Sequence, residues 1–360
     1  MFNLFDAIAS NGETIVNRKP IIVAGALLIA FLAGQAAEAK RWGCWIQADR
    51  NVKIRNTANN ATAAVNDWNS LTILNLTSVG SGEETYVFNA NSGNTGWGGL
   101  ASIVSYSGCT ILRATAQLNT YYSWTTNAAR GVHCQEIGHT FGLDHSNDGG
   151  CMGGGYWYDI ATHYTIVQKN INEIGTMYAS RVAGSPDFST VGPEVDTPRF
   201  HAFWANNPRS LRETTGLASQ IVVATVTGIA KGAPIVNRQP DGHVSRIPTQ
   251  RVSFSVEGGI KGSLEAGDSF VLFQNGNAAN RFDEDPSYAP GSRHLLFLTA
   301  RGDGTYLVVS PSGRFELSDG DGHSELIPAA TQGFAADLKG AKLQHVMFDV
   351  VRSLAPVDAE

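Results

Sequence analysis

Apolar and polar positions follow two different periods along residues 40–181. Thr110–Asn119 (TILRATAQLN) alternates apolar with polar side chains at period two, which predicts a strand. Ala128–Leu143 changes to helical spacing and ends around Gly142, a residue typical of helix ends. His163–Arg181 carries an apolar stripe that predicts another helix. An early helix and two more strands are predicted in the same way: Asn59–Asn69, Thr85–Phe88 and Ala101–Tyr106.

The pattern changes after residue 209. Short β-branched and aromatic runs, separated by turns rich in Gly, Asp, Asn and Pro, predict five strands: Gln220–Val226, Arg251–Val256, Ser269–Phe273, His294–Leu298 and Tyr306–Val309. Regular short strands favour a small all-β sandwich or barrel. Phe334–Leu354 predicts a closing amphipathic helix at the C-terminus. Residues 182–209 contain four prolines and indicate a linker, or an extended segment wrapped on the first domain.

The first 39 residues have the pattern of a secretory signal peptide. Arg18 and Lys19 precede the uncharged run Ile21–Gly34, and Ala37–Ala39 offers a small–x–small cleavage site. The apolar run is shorter than the roughly 20 residues that a spanning helix needs. An uncleaved signal anchor is the alternative. We expect a secreted protein, extracellular or periplasmic, with no membrane association after cleavage.

Cysteine usage agrees with export. The four cysteines, Cys44, Cys109, Cys134 and Cys151, all follow the predicted cleavage site, and an even number in an exported chain predicts two disulfides. Of the three possible connectivities we favour Cys134–Cys151 with Cys44–Cys109, because the first pair brackets one compact motif. Thiolate binding of a metal would need closely spaced CxxC pairs, which the sequence lacks.

Composition limits the classes of function. A chain of 360 residues with 42% hydrophobic and 16% charged residues is long enough for two domains with cores. Lys and Arg total 26 against 32 for Asp and Glu, a net charge of −6, which argues against nucleic acid as the main partner. The counts also exclude collagen, coiled coils and multi-span membrane proteins.

The candidate chemistry lies in Gly131–Met152 (GVHCQEIGHTFGLDHSNDGGCM). Glu136 and His139 are three residues apart and therefore share a face of the predicted helix. Gly142 can adopt a positive φ, so the chain can turn sharply and bring His145 back toward His139. Two imidazoles beside a carboxylate are what a catalytic zinc ion uses: neutral nitrogen ligands, an open position for water, and a base.

These residues resemble the zinc signature of the metzincin proteases, HExxHxxGxxH, in the style of the matrixin-like branch. Glu136, His139, Gly142 and His145 match the signature in register, and Met152 fits the Met-turn that lies under the metal in that family. The resemblance implies a Zn²⁺ site and the hydrolysis of protein or peptide substrates, with Glu136 as general base and then acid.

The resemblance also implies a domain organisation. Residues 40–181 would form an α+β metzincin-like catalytic domain, a mixed sheet plus helices. Residues 210–360 would then form a β-rich accessory domain with a C-terminal helix, for which the sequence identifies no ligand. By the same resemblance, the strand near Gly99–Ser105 would be the sheet edge that pairs with an extended peptide substrate.

One position departs from the signature. Gln135 stands where the first His is expected; it lies one helical turn before His139, but an amide oxygen is a much poorer zinc ligand than an imidazole. Three outcomes are open. Gln135 is a weak ligand or holds a water at the metal, or the metal is absent, or His133 replaces it from about 200° round the helix.

Two hypotheses of different classes follow. The first is a secreted zinc-dependent endopeptidase that hydrolyses peptide bonds through a metal-activated water, with Glu136 as general base and with His139, His145 and Gln135 as the metal-binding residues. The second is a catalytically inactive exported binding or surface protein on the same scaffold. The variant Gln135→His distinguishes them, because metal binding and activity that appear only in the variant would identify the natural chain as inactive.

Overall fold

The computed structural model describes the following residues: 41–146, 149–153, 161–181, 200–239, 241–318, 324–331 and 333–354. All of them belong to one compact unit. The predicted signal peptide, residues 1–39, lies outside the described residues. Among the described residues, no helix combines the length and the apolar character that crossing a membrane requires.

A mixed seven-stranded sheet forms the first half of the described chain. Its strands are β1 (Ile46–Gln47), β2 (Asn51–Asn56), β3 (Asn75–Ser78), β4 (Thr85–Ala90), β5 (Trp97–Ser107), β6 (Thr110–Asn119) and β7 (Phe200–Trp204). The order is β3-β2-β4-β6-β5-β7, and β1 pairs with β6. Strands β2, β3, β4 and β6 run parallel, whereas β5 is antiparallel to β6 and β7 is antiparallel to β5.

Four helices accompany this sheet: α1 (Thr62–Leu71), α2 (Thr126–Thr140), α3 (Ala161–Tyr164) and α4 (Gln168–Met177). The core lies between the sheet and α2, where Trp68 of α1 and Ile137 of α2 have no exposed surface. The sequence predicted one helix over His163–Arg181, but the structure has two, with a break between α3 and α4.

A second seven-stranded sheet forms the other half. Its strands are β8 (Gln220–Lys231), β11 (Thr249–Lys261), β12 (Ser269–Asn275), β13 (Arg293–Ala300), β14 (Tyr306–Val308), β15 (Arg314–Ser318) and β16 (Glu325–Pro328), and the separate hairpin is β9 (Ile235–Arg238) with β10 (Val244–Ile247). Because β14 pairs with both β12 and β13, the pairings β14-β12-β11-β8-β13 close into a ring. The described residues are therefore mixed α+β and largely β, which agrees with the α+β class predicted from the sequence.

Three short helices cover one side of this second sheet: α5 (Leu211–Leu217), α6 (Gly333–Asp337) and α7 (Leu343–Leu354). Val346 and Val350 of α7 are buried against it, in the core cluster that contains Phe297 and Phe315. The prediction of one continuous helix over Phe334–Leu354 is wrong, because the structure has two helices there, α6 and α7. Gly340, with φ +77°, lies between α6 and α7, and a right-handed helix cannot pass through that conformation.

Strand β7 falls within residues 182–209, for which the sequence left a linker and an extended segment as alternatives; residues 182–199 lie outside the described residues. Residues 200–204 are an extended segment paired with the first sheet. Phe200 also pairs with the second half, since its N–H donates to the carbonyl of Arg281 at 2.9 Å and its carbonyl accepts from Asp283 at 3.3 Å. Strand β7 thus contacts both halves of the molecule.

Candidate metal centre

Helix α2 positions the candidate chemistry. Its first turn is capped by the Thr125 hydroxyl, which accepts a hydrogen bond from the N–H of Ala128 at 3.2 Å. In its second half the indole N–H of Trp68 donates to the carbonyl of Cys134 at 2.9 Å. The helix is buried from residue 131 to its C-terminus. Its side chains in this stretch therefore face protein rather than water.

Both predicted disulfides are present. Cys134–Cys151 joins α2 to the segment that follows the signature, and Cys44–Cys109 joins the start of the described chain to the turn between β5 and β6. Met152 follows Cys151 and is fully buried. A Cβ atom at Gly138 would lie 2.4 Å from the sulfur of Met152, so the methionine packs directly on α2 one residue before His139.

The bend after α2 requires its glycine. Gly142 has φ +91°, and a Cβ atom there would lie 2.1 Å from the carbonyl oxygen of Trp45. The bend brings the carbonyl of Leu143 to 2.8 Å from Nδ1 of His139. Since a carbonyl only accepts, Nδ1 carries the proton and Nε2 carries the lone pair when the ring is neutral.

His139 has the properties of a metal ligand. Burial, together with the neighbouring His201 and His145, holds the pKa of His139 well below its ordinary value, so the ring is neutral at neutral pH. Its Nε2 is buried and has no hydrogen-bond partner among the described residues. A buried nitrogen lone pair without a partner is what a coordinated cation would satisfy.

Three imidazoles converge at this point. The ring centroids of His139 and His145 are 4.8 Å apart, as the glycine bend predicts, and that of His201 lies 4.2 Å from His139 and 4.9 Å from His145. One nitrogen of each ring lies within 4.8 Å of the other two, and all three residues are buried. This cluster could hold a metal ion, and three imidazoles with a further open position are a donor set that suits zinc.

His201 was not predicted. It lies on β7 and is 3% exposed, and its Nδ1 is 2.5 Å from Oε1 of Glu284. Its Nε2 is 3.3 Å from Oδ1 of Asp144 and 3.7 Å from Oδ2 of Asp283. Burial alone would lower the pKa of His201, but these carboxylates, Glu284 above all, raise it above its ordinary value.

Glu136 is fully buried beside the cluster. Its Oε1 accepts a hydrogen bond from the backbone N–H of Phe203 at 3.2 Å, and its Oε2 has no hydrogen-bond partner among the described residues. Burial, and then the negative charge of Glu284, raise the pKa of Glu136 well above its ordinary value. A Cβ atom at Gly99 would lie 2.4 Å from Oε1, so β5 approaches the carboxylate closely only because residue 99 is glycine.

The structure distinguishes between Gln135 and His133, the two candidates for the third ligand in the sequence. Gln135 is buried and lines a cavity of about 670 Å³ together with His145 and His201. His133 is directed elsewhere: its Nε2 lies 3.1 Å from the side-chain oxygens of both Asn60 and Asn89. The possibility that His133 replaces the missing ligand is therefore wrong, because its position on α2 turns it away from the cluster.

The sheet edge that the resemblance assigned to substrate is occupied by the chain itself. Strand β7 pairs with β5 in an antiparallel register that places Phe203 opposite Gly99, Ala202 opposite Leu100 and His201 opposite Ala101. The same pairing that carries His201 to the cluster therefore covers this edge. The aromatic run FHAFW within residues 182–209 was the sequence signal for this strand.

No family model matches the chain, and no curated protein is similar to it in sequence.

Proposed function

We propose that this protein is a secreted zinc-dependent endopeptidase of the metzincin type. The observation that carries the proposal is the buried cluster of His139, His145 and His201 beside the carboxylate of Glu136. Imidazole ligands next to a buried carboxyl group are the parts that metal-assisted hydrolysis needs. The two disulfides agree with an extracellular or periplasmic location.

The three imidazoles would hold the ion. His139 offers Nε2 because its Nδ1–H donates to the carbonyl of Leu143, which fixes both the tautomer and the ring orientation. When bound, zinc supplies a Lewis acid that polarises the scissile carbonyl and makes water easier to deprotonate. His201 then takes the role that the signature gives to the residue at position 135, and Gln135 remains as an uncharged polar side chain in the cavity wall.

Glu136 would move the proton. One of its oxygens is fixed by the N–H of Phe203, whereas Oε2 has no hydrogen bond from the described part of the chain and can accept a proton from water. Its raised pKa suits this role, since the protonated form can then donate to the leaving amine. The carboxyl group thus acts first as base and then as acid, as the signature implies.

The position of β7 limits how a peptide can approach. Since β7 covers the β5 edge, an extended substrate cannot pair there in this conformation. The cavity lined by Gln135, His145 and His201 is the other approach to the cluster, and its volume of about 670 Å³ suits a few residues of a peptide. In the proposal, the substrate enters through this cavity.

The same occupied edge supports a second candidate, a catalytically inactive exported binding protein. In that case the strand would fill the substrate position permanently, and the hydrogen bond from Phe203 to Glu136 would be purely structural. This candidate predicts a folded, disulfide-bonded protein that hydrolyses no peptide under any metal supplement.

The test combines metal analysis with peptide hydrolysis. We expect the purified, oxidised protein to hold one equivalent of zinc and to cleave unstructured protein substrates, with activity lost on chelation and restored by zinc. Glu136→Gln should retain zinc and lose hydrolysis, whereas Glu316→Gln, at an exposed carboxylate on β15, should change neither. Protein that holds no zinc, or that holds zinc and cleaves nothing, would contradict the endopeptidase and favour the binding protein.

A further inference from the structure

We infer that His201 and Glu284 together form the third arm of the metal centre, with Glu284 as the positioning residue that fixes the His201 ring. This deepens the proposed function and rests on its zinc site, since it names the ligand that replaces the missing signature histidine. It also assigns part of the centre to residues far outside the signature, one on β7 and one in the segment between β12 and β13.

The backbone of His201 is fixed by pairing with β5. His201 pairs with Ala101, and its neighbour Ala202 pairs with Leu100, so the strand cannot slide without breaking the sheet. The His201 ring stacks on that of His139 with an interplanar angle of 11° and lies 4.6 Å from the centroid of Trp42. Strand pairing and aromatic packing therefore hold this buried ring beside the other two histidines.

Glu284 determines which tautomer of His201 is present. With Oε1 at 2.5 Å, Nδ1 donates its proton to the carboxylate, and Nε2 is left for the ion. A ligating histidine that donates its other ring N–H to a carboxylate is a recurrent arrangement in zinc sites, where the carboxylate fixes the tautomer and raises the basicity of the ligand. His139 uses the carbonyl of Leu143 for the same purpose.

The segment around Glu284 is itself anchored. Phe282 is 1% exposed and packs in the cluster that contains Trp97 and Trp204. On the other side, Asp285 forms a buried ion pair with Arg314 of β15 at 2.7 Å. Glu284 is therefore held between two buried neighbours, so the second half of the molecule contributes to the centre and is not only an attached module.

The same residues also allow an alternative in which His201 is not a zinc ligand. A protonated His201 held between Glu284 and Asp144, 2.5 Å and 3.3 Å away, would be a buried ion-pair network that binds no zinc. In a third arrangement, Gln135 is the ligand and His201 only packs beside it. The three arrangements predict different responses to substitutions at residues 135, 201 and 284.

The experiment measures zinc affinity of the full-length, oxidised protein by competition with a chromophoric chelator, and the visible absorption spectrum of the Co²⁺-loaded protein. We expect His201→Gln to weaken zinc binding by more than 100-fold, and Glu284→Gln by 10- to 100-fold with a changed Co²⁺ spectrum. Gln135→Leu should change zinc affinity by less than threefold. Glu316→Gln, at an exposed carboxylate of β15, is the control for loss of a carboxylate in the second half of the molecule, and we expect it to change the affinity by less than threefold.

The outcomes separate this inference from the proposed function. Wild-type protein that binds zinc and cleaves peptides, with Glu284→Gln unchanged in affinity and in Co²⁺ spectrum, would overturn the role of Glu284 and leave the function standing. Loss of zinc in Gln135→Leu but not in His201→Gln would disprove the assignment of His201 as the third ligand. Wild-type protein that binds no zinc would overturn both. Circular dichroism and thermal unfolding confirm that each variant is folded, and Glu284→Asp provides a second variant that retains the charge.

Discussion

The backbone N–H of Phe203 donates a hydrogen bond to Oε1 of Glu136 at 3.2 Å. This contact joins strand β7, which carries His201, to helix α2, which carries Glu136 and His139. The strand that supplies an imidazole to the cluster thus also orients the carboxylate beside it. Any change that shifts β7 relative to α2 is expected to alter both.

The first prediction concerns position 135. If His201 is the third ligand, Gln135→His should change zinc affinity and peptide hydrolysis by less than threefold, because the metal already has three imidazoles. Chelator competition and a fluorogenic peptide assay measure the two quantities. Zinc binding and cleavage that appear only in Gln135→His would show that the natural chain is inactive.

The second prediction concerns the contact of β5 with the carboxylate. In Gly99→Ala the added Cβ would lie 2.4 Å from Oε1 of Glu136 and 2.4 Å from the side chain of Val132. We expect the free energy of unfolding to fall by about 1–3 kcal/mol. We also expect slower peptide hydrolysis, because the carboxyl group of Glu136 must move.

Gly175→Ala is the control, since Gly175 lies within α4 with open space around it. That variant should gain about 0.5–1 kcal/mol, because alanine loses less conformational freedom than glycine in a helix. Urea unfolding measures the expected decrease in stability of Gly99→Ala and the expected increase in stability of Gly175→Ala. A Gly99→Ala protein as stable and as active as wild type would disprove the proposed crowding.

The third prediction concerns the disulfides. Cys44–Cys109 joins residues 65 apart in sequence and Cys134–Cys151 joins residues 17 apart. The chain-entropy model gives about 4 kcal/mol for the longer loop and about 3 kcal/mol for the shorter. Replacing each pair by alanine should therefore lower the free energy of unfolding in that order, measured in urea. The reverse order would show that native-state packing outweighs loop entropy.

The fourth prediction concerns acid stability in the second half of the molecule. His294 is buried and lies 2.8 Å from the hydroxyl of Ser292; burial, with the positive charge of Arg314, lowers the pKa of His294 to about 3. As the pH falls, His294 therefore binds a proton near pH 6.5 in the unfolded chain, but only near pH 3 in the folded chain. The stability that the neutral ring contributes is complete above pH 6.5 and is lost as the pH falls through this interval.

His294→Gln should therefore reduce the loss of stability between pH 7 and pH 4 by about 3 kcal/mol. Urea unfolding at both pH values gives the difference. His345→Gln, at an exposed histidine of α7, should retain the wild-type dependence. If His294→Gln lost as much stability in acid as the wild type, the buried ring could not be the source.

The local parts of the site were predictable from sequence. Short-range spacing placed Glu136 and His139 on one helix face, and Gly142 predicted the bend that brings His145 to within 4.8 Å of His139 between ring centroids. The period-two pattern of Thr110–Asn119 predicted β6 with its observed bounds. In each case the physical cause acts within a few residues of the chain.

The non-local parts were not predictable. His201 reaches the cluster only because β7 pairs with β5, about a hundred residues earlier in the chain, and sheet pairing at that separation leaves no periodic signal. Glu284 depends in turn on the pairing of its segment with Phe200. The breaks between α3 and α4 and between α6 and α7 were missed because the apolar stripe continues across them.

The most direct test of the account is the position of zinc in a crystal. Crystals grown with one equivalent of zinc, measured on both sides of the zinc absorption edge, should give one strong anomalous peak within bonding distance of His139, His145 and His201. An equally strong peak at another place, or none at the three imidazoles, would contradict the metal centre and the hydrolytic function proposed from it.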